Sequence, residues 1–159
     1  MIRQTHFYHL QTKWIGNLGS GTKNYRSYAR NYTINISGKP PIYGSSDPSF
    51  VGDATKHNPE ELLLAALSSC HMLWYLHLCA EAAIVVLDYQ DNAQATMIEN
   101  TDGSGFFKEV VLNPTVKVAD ESMLSIATKL HEKANQYCFI ANSVNFPVHH
   151  QPVCTVFST

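Results

Sequence analysis

Charge is what this chain has least of. Only 15% of its 159 residues are Asp, Glu, Lys or Arg, and 11 basic against 13 acidic groups leave a formal net charge of -2 and a pI near 6.4. Such a balance creates no basic field to hold a nucleic acid or an anionic membrane, so neither partner is expected. Arginine is scarcest of all, with Arg3, Arg26 and Arg30 the whole complement. The opening MIRQTHFYHLQTKW has neither the apolar stretch nor the small-residue cleavage site of a secretory signal, which makes the cytoplasm the expected location. Four cysteines and eight histidines form no C-x-x-C and no H-x-x-x-H pair, so no metal and no cofactor are expected. The cysteines, at 70, 79, 138 and 154, are too dispersed for the disulfide framework of a small secreted domain. No internal repeat or low-complexity tract divides the chain, and its length suits one domain over residues 1–159.

Apolar residues, at 45%, are ample for a core. From Leu62 to Ala80 there is no formally charged residue, a run long enough to raise the question of a membrane span. Its centre carries Ser68, Ser69, Cys70 and His71, with His77 beyond, and its flanks are Glu60, Glu61 and Glu81 instead of Lys or Arg. That pattern predicts a core helix, covered nearly all round by a sheet and a second subunit. Asn58-Pro59-Glu60-Glu61 predicts its start: Asn58 caps, Pro59 suits the first helical position, and Glu61 closes a capping box. The helix is predicted to reach about Ala83.

Before it, Thr5–Trp14 and Asn31–Ser37 alternate polar and apolar residues as half-buried strands do, and glycine and proline clusters mark loops. After it, residues 93–99, 106–112 and 115–119 read as strands, with Gly103-Ser104-Gly105 turning the first pair. A second helix is predicted from about Asp120 to Ala141, its buried stripe running through Ala127, Leu130, Ala134 and Cys138. Phe146–Phe157, interrupted by Pro147 and Pro152, reads as an edge or broken strand. The order predicts an α+β fold, two long helices packed on mostly antiparallel sheets.

The chemistry centres on Cys70 and Cys138. Cys70 lies about twelve residues into its helix, beyond the reach of the positive helix end, so only a nearby cation could favour its thiolate in an apolar setting. Arg26 and Arg30, in GTKNYRSYARNY, are the candidates, Arg26 first. An arginine drawn into such a pocket needs a counter-charge, and Glu60 is the natural one. Cys138 falls at a helix end where carbonyls disfavour an anion, which suits a thiol that resolves rather than attacks. Cys79 and Cys154 are assigned to packing.

Asn58-Pro59-Glu60-Glu61-Leu62, Leu67-Ser68-Ser69-Cys70, His131-Glu132-Lys133-Ala134 and Tyr137-Cys138 resemble the OsmC/Ohr family of thiol peroxidases, with the same spacing of ten between Glu60 and Cys70. The resemblance implies an intertwined homodimer that reduces organic hydroperoxides through a Cys-Cys disulfide and is recharged by a dithiol reductant of lipoyl or thioredoxin type. By position, it makes Cys70 the peroxidatic cysteine, Cys138 the resolving cysteine and Glu60 the carboxylate that positions the arginine. Some members carry that arginine just before the Asn-Pro-Glu run; here Asp47–Asp53 contains none, which leaves Arg26 or Arg30. Two other classes remain open from the residues alone. One is a cysteine-dependent hydrolase, with His149 or His150 approaching from the last strand; the other is a non-catalytic dimeric module binding a small apolar ligand.

Overall fold

The computed structural model describes residues 4–158, in two compact units, Met1–Leu62 and Leu63–Thr159. In the first, β1 (Gln11–Trp14), β2 (Tyr32–Asn35) and β3 (Ile42–Gly44) form an antiparallel sheet in that order. Gly44 pairs with Tyr32, and a Cβ at Gly44 would meet the Tyr32 ring at 2.2 Å, so only glycine lets the ring lie across the strand.

The long helix α1 (Pro59–Glu81) starts where the sequence places it. Asn58 Oδ1 accepts the Glu61 N–H at 2.7 Å while Glu61 Oε2 accepts the Asn58 N–H at 3.2 Å, a reciprocal capping box. It is also the one helix among the described residues long and apolar enough to cross a membrane. Only one face of its centre lies inside protein: His71 and Tyr75 are completely buried, whereas Ser69 and Leu73 are exposed, so the chain by itself does not cover the helix nearly all round. Its carboxyl end closes with the Ile84 N–H on the Cys79 carbonyl (2.9 Å) and Ala83 in the left-handed conformation, φ 55°. Glycine is the usual residue there because a Cβ is strained at positive φ. Ala83→Gly is therefore expected to stabilise the protein by about 0.5–1 kcal/mol, read as a higher urea midpoint at unchanged m value.

In the second unit, β4 (Val86–Asp91), β7 (Pro114–Val118) and β9 (Val153–Val156) form one sheet in the order β4-β7-β9. A second sheet, β5-β6-β8, contains β5 (Gln94–Glu99), β6 (Gly105–Leu112) and β8 (Val148–His150). Both carry an antiparallel pair and a parallel one, so antiparallel pairing predominates in the chain. The last segment is broken at Gln151-Pro152: β8 runs parallel to β6, and β9 parallel to β7 in the other sheet. Proline, lacking an N–H, falls between the two ladders. The sequence signals missed β3 and β4, and β4 follows α1 too closely to be separated from its end by turn residues.

Helix α2 (Leu124–Tyr137) is shorter than predicted, flanked by 3-10 turns at Glu121–Met123 and Ala141–Ser143. Two cores result. Tyr75, Leu78 and Cys79 of α1 pack with Val116 and Val118 of β7 and Ala127 and Ala134 of α2. Leu67, nearer the start of α1, packs with Val110 and Leu112 of β6. Helix α1 thus spans both, and Cys70 lies between them.

Candidate thiol site

Cys70 projects from the middle of α1, half-buried, into a recess of about 370 Å³ bounded by Leu73, Trp74, Phe139 and Ile140. Trp74 holds the wall: its ring meets Phe139 edge-on with centroids 5.5 Å apart and leans on Tyr137 at 5.2 Å. Leu73 and Phe139 remain well exposed, so the recess opens on an apolar face.

Cys138 caps the carboxyl end of α2 instead of lying inside the helix. Its N–H donates to the Ala134 carbonyl at 2.9 Å and its backbone then turns out of the helix (φ -64°, ψ 108°). The side chain is buried beside Cys70, and all four cysteines are free thiols. Burial, and then the neighbouring Cys70 thiol, push the Cys138 thiol up to about 11; the Ala141 N–H, donating to Sγ at 3.4 Å, and the Ile140 N–H only partly offset this. Near neutral pH Cys138 is therefore a protonated thiol.

The other predicted residues lie in the first unit. Glu60 is in the first turn of α1, ten residues before Cys70, and faces Tyr32 closely enough to help burial raise that phenol. Arg30 is held locally: Nη1 donates to the Tyr28 carbonyl at 2.7 Å and Nη2 to the Tyr25 carbonyl at 2.5 Å. Its guanidinium lies 4.2 Å from the Tyr28 ring centroid and 4.4 Å from that of Tyr25. Arg26 makes a backbone bond to Asn24 Oδ1, and among the described residues its guanidinium has neither a hydrogen bond nor an ion pair. Arg3 lies outside the described residues.

A second polar cluster went unseen in the sequence. His71 and His131 are both fully buried, and His71 Nε2 lies 3.0 Å from His131 Nδ1. The Tyr75 ring stacks on His131 at 3.8 Å, His150 leans on His71 at 5.6 Å, and Cys154 Sγ is 4.0 Å from His131 Nε2. The two buried imidazoles are neutral: burial, with repulsion from neighbouring histidines, pulls His71 down to about 4 and His131 to about 3. His71 Nδ1 has no partner, and a bare acceptor is tolerated better there than an orphaned N–H. His71 therefore donates through Nε2–H to His131 Nδ1. Among the described residues no group of His, Cys, Asp or Glu is arranged to hold a metal. No histidine nitrogen hydrogen-bonds Cys70 there; the imidazole that meets a thiol meets Cys154. One signal did exist: His71, Tyr75 and Cys79 recur every four residues along one face of α1, and His131 stands on the α2 stripe between Ala127 and Cys138.

Residues 52–152 match the OsmC-like protein family. The chain belongs to the OsmC-like family. Its fold superposes on the OsmC-like protein VCA0330 of Vibrio cholerae with a TM-score of 0.84 and 31% identity, over 94% of this chain and all of that one. The YmaD protein of Bacillus subtilis is 24% identical over 143 residues, 87% of each chain. The fold is shared with an organic hydroperoxide resistance protein of Elizabethkingia anophelis (TM-score 0.67, 18% identity, 97% of this chain and 100% of that one). As an OsmC-like protein, the chain has an α+β fold of two helices and mixed sheets.

Proposed function

We propose that this OsmC-like protein is a thiol peroxidase that reduces organic hydroperoxides to alcohols. The observation that carries the reading is a half-exposed Cys70 in an apolar recess, with a buried, protonated Cys138 beside it. The Cys70 thiolate attacks the distal oxygen of ROOH, the O–O bond breaks, and ROH leaves once the alkoxide takes up a proton; Cys70 is now a sulfenic acid. The Cys138 thiol then attacks the Cys70 sulfur, water leaves, and the disulfide forms. Two electrons from a dithiol, of lipoyl or thioredoxin type, restore both thiols. The leucine, tryptophan and phenylalanine walls favour an organic substituent over the single proton of hydrogen peroxide. We assign the protein as a cytoplasmic homodimer, with Glu60 orienting the arginine that stabilises the transition state.

Arg26 is the better candidate for that arginine, because Arg30 is already engaged by two carbonyls and two tyrosine rings. Arg26→Ala is expected to lower kcat/KM for cumene hydroperoxide by about 10²-fold, the loss typical of one transition-state charge donor. Arg30→Ala should instead cost about 1 kcal/mol of stability through the lost ring contacts. The opposite pattern would move the assignment to Arg30.

The reading is tested by adding one equivalent of cumene hydroperoxide to the fully reduced protein and measuring its intact mass. Loss of two hydrogens, mapped to a Cys70–Cys138 bridge, is the expected result. An unchanged mass with the peroxide unconsumed would overturn it.

A further inference from the structure

The pair of thiols has to be held in register by something, and the apolar contacts around it are poor at that. Cys70 lies within α1 and Cys138 caps the end of α2, and disulfide closure tolerates α-carbon separations only between about 4.4 and 6.8 Å. A helix advances about 1.5 Å per residue, so a slide of one or two residues between α1 and α2 would separate the sulfurs. Hydrophobic burial draws the helices together but has no direction of its own. A buried hydrogen bond does have direction, and the chain places one between these two helices.

We infer that the His71–His131 hydrogen bond is the positioning element that sets Cys70 against Cys138, an inference that rests on the dithiol reading above for its function. His71 follows Cys70 directly on α1, and His131 precedes Cys138 by seven residues, two turns along the same face of α2. The bond joins Nε2 to Nδ1 at 3.0 Å, with both side chains fully buried and the rings within 10° of parallel. His131 is further fixed by Tyr75, one turn beyond His71, stacked on its face at 3.8 Å. Cys154 of β9 stands at its other nitrogen, and His150 of β8 lies against His71. Two buried imidazoles are a costly way to fill space that leucine or phenylalanine would fill more cheaply. What they supply beyond volume is a fixed axial and rotational register.

The test exploits the shape of the side chains. His131→Asn keeps a polar atom where Nδ1 stood and loses the ring; His131→Phe keeps a ring for Tyr75 and loses the nitrogen. His71→Gln and His71→Leu make the corresponding pair on α1. Each variant is equilibrated in glutathione buffers without peroxide, and the Cys70–Cys138 disulfide is quantified by mass spectrometry. Positioning predicts that H131F and H71L each lower the effective concentration of the thiol pair at least about tenfold. H131N and H71Q should stay within about threefold of the parent. Equal bridging in H131F, or a larger loss in H131N than in H131F, overturns the inference, because packing and not the hydrogen bond would then set the register. If H131F and H71L do not fold while H131N and H71Q do, the bond holds the helices together and the narrower role is likewise overturned. Because no hydroperoxide is used, failure of the peroxidase reading leaves this outcome separately legible.

Discussion

Serine in place of Cys70 abolishes hydroperoxide turnover, an expected loss on the order of 10³-fold or more in kcat/KM. The size follows from the chemistry: a hydroxyl remains protonated where a thiol can ionise, and oxygen cannot carry the sulfenic acid that links the two half-reactions. Cys138→Ser behaves differently. Cys70 is intact, so one equivalent of peroxide is still consumed; with no partner sulfur the cycle stops there, and excess peroxide drives Cys70 to the sulfinic acid, seen as a gain of two oxygens. Cumene hydroperoxide consumption, followed with and without a dithiol reductant, separates the two variants. If Cys70→Ser consumes peroxide as well as the parent, the assignment of the attacking thiol is wrong. If Cys138→Ser turns over repeatedly with the reductant at the parent rate, the reductant attacks Cys70 directly and Cys138 has no resolving role.

The second large effect is on stability. In the unfolded chain His71 and His131 titrate near 6.5, while the fold pulls them down to about 4 and about 3. Between those limits the unfolded state binds protons at His71 and His131 that the native state refuses, and burial lowers His150 in the same direction, so the unfolding free energy falls as pH falls. Stability is complete above pH 6.5 and is lost on acidification through that value toward 4. Each histidine contributes about 1.4 kcal/mol per pH unit over that span, so the protein should be about 4 kcal/mol less stable at pH 5 than at pH 7. Depressed carboxylates do not confuse this window. Asp47, Asp102 and Asp120 are held below their usual 3.8 by serine donors in their turns, and all are ionised in both states at pH 5. Urea unfolding at the two pH values measures the change, and H131F should remove about 2 kcal/mol of it. An unaltered pH slope in H131F would show that His131 is not among the groups responsible.

The local elements were legible wherever one signal outweighed its competitors. Asn58 and Glu61 announced the start of α1 because their side chains are the right length to satisfy each other's backbone N–H groups. Pro152 announced the break between β8 and β9 because it cannot join a ladder. Cys138 was placed on the α2 stripe, although the helix ends one residue earlier, at Tyr137. The histidine cluster was illegible for a specific reason. Spacing rules compare residues on one element, and His71, His131 and His150 come from α1, α2 and β8. Compared only with His77, six residues along the same helix, His71 looks like an isolated polar residue.

Sequence alone therefore determined the parts with short-range causes: the capped, uncharged core helix, the α+β order of elements, the family resemblance and the two cysteines worth attention. Tertiary structure decided which groups meet. It set Cys138 beside Cys70 under an aromatic wall, and it left Arg30 bound by its own loop. It also drew three histidines into one cluster. Contacts between residues 60 or more positions apart depend on how helices and sheets pack, and burial, which fixes their protonation, exists only once that packing is complete.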